Sequence, residues 1–196
     1  MSLPAEFEAF YANWTAKAAA YIDESATSYF DRFITQFVLY NRLYVEATAR
    51  LSATAGSGIQ LEGRDSFPDG PAAKAYVSQF LTANYLVDAL EGDPECLEAI
   101  SELKRILREH QFFVRLHPVS GARQPNEDIA LLGRLESTGR ADKAGAILEF
   151  IYSIRCNLMH GQKDFSEDQV LLLRPTTILL TKVCNLLYEK LRRHDS

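Results

Sequence analysis

The sequence predicts an all-α bundle, and three observations carry that expectation. Apolar residues return every three or four positions over long stretches. Alternating β-branched runs closed by tight hairpin turns are missing. No stretch repeats with a period of about 20 to 50 residues, which sets a solenoid aside. With 196 residues, 47% of them hydrophobic and 24% charged, the chain reads as a single domain over residues 1–196.

A first helix is expected over residues 3–22 and a longer one over 25–53. The text AGSGIQLEGRDSFPDGP at 55–71 collects Gly, Pro, Ser and Asp, which favour turns, and is expected to be the longest loop. Pro71 suits the first turn of a helix reaching Leu90, because a helix start leaves its N–H groups unused anyway. Asp93 and Pro94 open a helix to about Val114, and 116–126 looks irregular. Further helices are expected over 126–136 and 140–160. The last covers 166–193. Ser166 and Gln169 have capping-box spacing there, Glu167 and Asp168 complement the positive helix end, and Pro175 should kink or restart the helix.

Within 25–53, Phe30, Phe33, Ile34, Phe37 and Tyr44 share one face at about 100° per residue, with Asn41 in its middle. A carboxamide among aromatic rings costs on the order of a few kcal/mol unless its hydrogen bonds are met. Asn41 therefore predicts a polar partner inside the bundle and is a candidate binding residue. Glu46 projects from the opposite side as a solvated charge.

Twenty-one Lys plus Arg against 26 Asp plus Glu leave a formal charge of -5, so any nucleic-acid contact must be local rather than held by bulk positive charge. Uncharged stretches such as 146–148 and 170–173 are far shorter than the roughly 20 apolar residues of a membrane span, and no membrane role is expected. The opening MSLPAEFEAFYANW lacks a basic head followed by an apolar core, so it does not read as a secretory signal and the expected compartment is cytoplasmic. Cys96, Cys156 and Cys184 are widely spaced without a CxxC and suit reduced thiols. His110 and His117, seven apart, lack metal-ligand spacing; neither a metal site nor a cofactor is expected.

The segment with the most chemistry is ILEFIYSIRCNLMHGQK, residues 147–163. Ile147, Ile151, Ile154 and Leu158 form an apolar stripe for the core, flanked by Arg155 and Asn157. Gly161 is a usual helix stop, which puts His160 at a C-terminal end where an imidazolium is also favoured by the dipole. Arg155 and His160 are five residues apart and would point about 140° away from each other on a regular helix. They converge only if the last turn unwinds at Gly161, or if a two-fold axis brings two copies of this helix end together, which predicts a homodimer.

Arg155, Asn157 and His160 in IRCNLMHGQK resemble the Arg, four intervening residues, His motif of the HEPN superfamily. YFDRFITQFVLYNRLY, residues 29–44, is similar to the aromatic first helix of the Apea-like branch, which ends in Phe-Asn-x-Leu-Tyr; Tyr40 stands here where Phe is usual. The resemblance covers the helix around Asn41 and nearly all of residues 140–193. It implies an up-and-down all-α bundle with additional helices, usually dimeric, that in many members is a metal-independent endoribonuclease acting in defence or growth arrest. RNA, a second copy and an inhibitor or antitoxin protein are the implied partners. His160 would take the proton of an RNA 2′-hydroxyl, which attacks the adjacent phosphate to give a 2′,3′-cyclic phosphate. Arg155 would neutralise the charge gathered on the phosphorane. Asn157 would orient the phosphate or fix the tautomer of His160. The other reading keeps the fold as a non-catalytic module that binds RNA, a nucleotide or a partner protein.

Competing roles exist for each residue. Arg155 and His160 could cap carbonyls and bind a carboxylate. Asn157 could hydrogen-bond Asn41 or a backbone carbonyl across the core. Cys156 reads as a buried, inert thiol. Lys163 could meet an RNA phosphate or stay solvated, and Lys190, Arg192 and Arg193 are either a small phosphate patch or favourable charge at a helix end. Asp164, Glu167 and Asp168 are explained by a helix start without a cation. In HEPN toxins modified by a nucleotidyltransferase antitoxin a Tyr stands two positions beyond the His. Gln162 occupies that position here and argues against that route of control.

Overall fold

The computed structural model describes residues 3–61, 66–117, 119–159 and 167–193, and these form an all-α bundle. Among the described residues there is no strand, only one isolated bridge between Leu116 and Arg123. Helix α1 (Ala5–Ala19) lies against α2 (Ala26–Ser52), which starts at Ser25, whose hydroxyl accepts the Ser28 N–H at 3.2 Å. Phe33, Phe37, Tyr40, Leu43, Tyr44 and Ala47 of α2 are buried, so the aromatic face runs into the core as the periodicity predicts. Phe30 and Ile34 sit half-buried at its edge.

Helix α3 (Asp69–Pro71) runs directly into a π-helical turn, Ala72–Tyr76, and then α4 (Val77–Leu81). The expected single helix from Pro71 to Leu90 is therefore broken. Thr82 has φ 69° and ψ 136° and separates α4 from α5 (Ala83–Glu91), capping the new helix by accepting the Tyr85 N–H on its hydroxyl at 3.4 Å. Helix α6 (Pro94–Arg108) is capped by Asp93, whose Oδ1 accepts the Glu95 and Cys96 N–H groups at 3.1 and 3.2 Å. It stops six residues short of Val114, because His110 adopts φ 52° and turns the chain away. Residues 109–117 and 119–124 are then irregular, a strap with Val114 buried beneath it.

Helix α7 (Pro125–Glu136) and α8 (Arg140–Met159) pack on each other, α8 also covers α5, and α9 (Val170–Arg193) lies on α2 and α6. Ile147, Ile151 and Ile154 are buried and Leu158 is half-buried, as the stripe on α8 requires. Helix α9 follows a 3-10 turn, Glu167–Gln169, and runs through Pro175 as one helix instead of restarting there. Thr176 and Thr177 turn their hydroxyls back onto the Leu172 and Leu173 carbonyls, both at 2.7 Å. By length and composition α9 could cross a membrane, with mean hydropathy 1.5, a property that the short uncharged runs do not convey. Most of its apolar side chains from Leu172 to Leu191 are buried in the bundle.

A β-branched residue at positive φ is strained, by about 1 to 3 kcal/mol, and glycine removes that strain at a smaller cost in chain entropy. Thr82→Gly is expected to raise stability by about 1 kcal/mol, seen as a higher urea midpoint with an unchanged slope; a lower midpoint would mean that the Thr82 cap outweighs its strain.

Candidate functional site

Along α8, Tyr152, Arg155, Cys156 and Met159 recur at spacings that place them on one edge of the helix, and all are partly exposed. That edge meets the start of α3 and the middle of α2. The Tyr152 hydroxyl donates to Oδ2 of Asp69 at 3.0 Å, the Tyr44 hydroxyl donates to Oδ1, and Asn41 Nδ2 donates to the Tyr44 oxygen at 2.5 Å. Asn41 thus has the polar partner that its place among rings predicts, one turn further along its own helix. Tyr44 is fully buried, with the ring of Phe67 lying over it at 6.4 Å. Burial, then the hydrogen bond to Asp69, pushes both phenols well above the ordinary tyrosine range, so each stays a donor at neutral pH.

Arg155 lies against this network. Its guanidinium is 5.6 Å from the ring centre of Phe37 and 5.8 Å from that of Tyr152, and Nη1 is 3.9 Å from Cys156 Sγ. Burial opposes its charge, but Cys156 and the nearby Asp69 carboxylate outweigh burial and hold the group cationic. Among the described residues no carboxylate lies within ion-pair distance of Arg155, and Asp69 spends an oxygen on each tyrosine. Neighbouring arginines are quenched instead: Arg115 and Arg134 both hold Glu149, and Arg140 holds Glu91 at 2.7 Å and Asp88 at 2.8 Å. Among the described residues the guanidinium thus rests against two rings and bonds only to the Cys156 sulfur.

Asn157, two residues beyond Arg155, projects about 200° away around the helix. It is buried, and its Nδ2 donates to the Val114 carbonyl at 2.8 Å. The Val114 and Arg115 N–H groups meet the buried Asp128 carboxylate of α7 at 3.2 and 2.8 Å, so Asn157 and Asp128 together pin the strap. The structure therefore brings Arg155 and Asn41 to one network and places Asn157 on the other side of α8. His160 and Lys163 lie outside the described residues, as do Gly161, Gln162, Asp164 and Ser166. Cys156 is half-buried rather than buried, because it shares the partly open edge with Arg155.

The sequence alone gave no notice of Asp69 or Tyr152. Tyr152 stands three residues before Arg155 and could have been found by helical spacing; Asp69 sits in turn-forming text and has no such signal.

Asp69→Ala removes the acceptor of a fully buried phenol and of a second, half-buried one, and is expected to cost about 3 kcal/mol in urea unfolding. Tyr152→Phe alone should cost about 1 kcal/mol, and adding it to Asp69→Ala should cost almost nothing more, because its partner is already gone. Full additivity would show that the two side chains are not coupled. Comparisons with protein-family models, curated proteins and solved structures find no match for this chain.

Proposed function

We propose that this chain is a HEPN-like, metal-independent endoribonuclease, with Arg155 as its phosphate-binding group and His160 as its base. The observation that carries the proposal is the state of Arg155: half-buried, backed by Phe37 and Tyr152, and without a carboxylate partner among the described residues. The competing role for this arginine, capping carbonyls and binding a carboxylate, has no carboxylate to support it among the described residues. It stands in the IRCNLMHG text whose resemblance to the HEPN motif suggests RNA as the anion.

In this reaction His160 accepts the proton of a 2′-hydroxyl while that oxygen bonds to the neighbouring phosphorus. The bond from phosphorus to the 5′-oxygen breaks, and the leaving oxygen takes up a proton, giving a 2′,3′-cyclic phosphate and a 5′-hydroxyl. Arg155 neutralises the phosphorane, where two parallel donors match two oxygens better than an ammonium does. Asn157 acts at one remove, by fixing the strap against α8, and Asn41 by fixing Tyr44 behind the arginine. A second copy on a two-fold axis would supply the other catalytic helix end, so that a homodimer completes the site. The setting suggested by the resemblance is defence or growth arrest, under an inhibitor protein.

The test is incubation with total or transfer RNA in EDTA, followed by end-group analysis. Cyclic-phosphate ends are expected from the wild type, falling by about 100-fold or more in Arg155→Ala and His160→Ala with unchanged circular dichroism. RNA binding that depends on Arg155 without any cyclic-phosphate ends would assign the chain to the binding-module reading instead.

A further inference from the structure

The ring of Tyr152 has a second cation beside it. Lys74 Nζ is 5.4 Å from its centre, while the Arg155 guanidinium is 5.8 Å away, distances that cap the separation of the two cations at about 11 Å. Lys74 reaches this position because it lies in the π-helical turn Ala72–Tyr76, whose Ala72 and Ala73 are buried while Lys74 stays partly exposed. Tyr40 holds that turn by donating its hydroxyl to the Ala73 carbonyl at 2.5 Å. Turns of this wide type concentrate at functional sites.

Among the described residues no carboxylate lies within ion-pair distance of Lys74 either. Glu149 acts on it only at longer range and is already bound to Arg115 at 3.1 Å and to Arg134. Asp69 gives one oxygen to Tyr44 and the other to Tyr152. Among the described residues two cations thus share one aromatic ring and neither is in an ion pair, an arrangement of like charges that an external polyanion relieves.

Resting on the RNA reading above, we infer that Lys74 and Arg155 form a two-phosphate subsite divided by the ring of Tyr152. The ligand class is then a polynucleotide strand engaged at neighbouring phosphates, not a mononucleotide. Arg155 takes the scissile phosphate and Lys74 a phosphate next along the strand. The span of about 11 Å or less suits a backbone that carries one charge per ~3.4 Å of axis in a duplex and spreads further when single-stranded.

The test is fluorescence anisotropy with a short, labelled single-stranded RNA made uncleavable by 2′-O-methylation, titrated over a series of KCl concentrations. Lys74→Ala is expected to weaken binding roughly three- to tenfold and to reduce the slope of log Kd against log salt by about 0.7, while Lys74→Arg retains both. Uridine 3′-monophosphate should compete equally poorly against wild type and Lys74→Ala, because it reaches only the Arg155 phosphate. Lys74→Gln repeats the measurement should the alanine variant melt at a lower temperature. A wild-type slope and affinity in the folded Lys74 variants, with binding lost in Arg155→Ala, would overturn the subsite and leave the RNA reading standing. Binding unchanged by Arg155→Ala, or absent in the wild type, would overturn that reading and the subsite with it.

Discussion

Asp69 ties together three helices that the chain supplies from distant positions. One carboxylate oxygen receives the hydroxyl of Tyr44 from α2 and the other that of Tyr152 from α8, while the residue itself opens α3. At the first position of a helix a carboxylate also meets the positive end of the dipole. The geometry around Arg155 depends on this junction. Tyr152 forms one wall of the guanidinium's seat, and its ring is oriented by the bond to Asp69. Phe37 forms another wall and lies on the same buried face as Tyr44.

Among the described residues Arg155 forms no ion pair. A partly desolvated charge left without a partner is costly inside a protein. Asp69 bonds to both phenols and acts on the guanidinium through its field, from outside ion-pair distance. The aromatic faces supply weaker, less directional support, about 0.5 to 2 kcal/mol in such settings, and leave the planar donors available. Among the described residues the result is a cation held charged and seated on rings, without an ion pair.

The fold class was legible because helical periodicity is written locally, and the Ile147, Ile151 and Ile154 stripe needed no tertiary information. Asn41 stood out because a carboxamide amid rings demands a partner. The interruptions were not legible. Thr82 breaks a helix in the text FLTANYL without a glycine or proline to mark it, and His110 ends α6 from within equally ordinary text. Asp69 was hidden for a different reason: beside Gly70 and Pro71 it looks like turn punctuation, and its two phenol partners lie 25 and 83 residues away in the chain. Asn157, adjacent to the motif in sequence, turned out to face the strap, since two steps along a helix nearly reverse direction.

One further consequence belongs to the biosynthesis of the chain. Helix α2 packs most extensively on α9, where Arg50 donates to the Leu191 carbonyl at 2.8 Å, and Tyr11 of α1 stacks on Tyr188 of the same helix at 3.5 Å. The aromatic flank of α2 leaves the ribosome before α9 does. Until Val170–Arg193 has been made, α2 lacks the helix on which it packs most extensively. A nascent chain paused between α2 and α9 leaves that apolar face uncovered, the condition in which aggregation competes with folding.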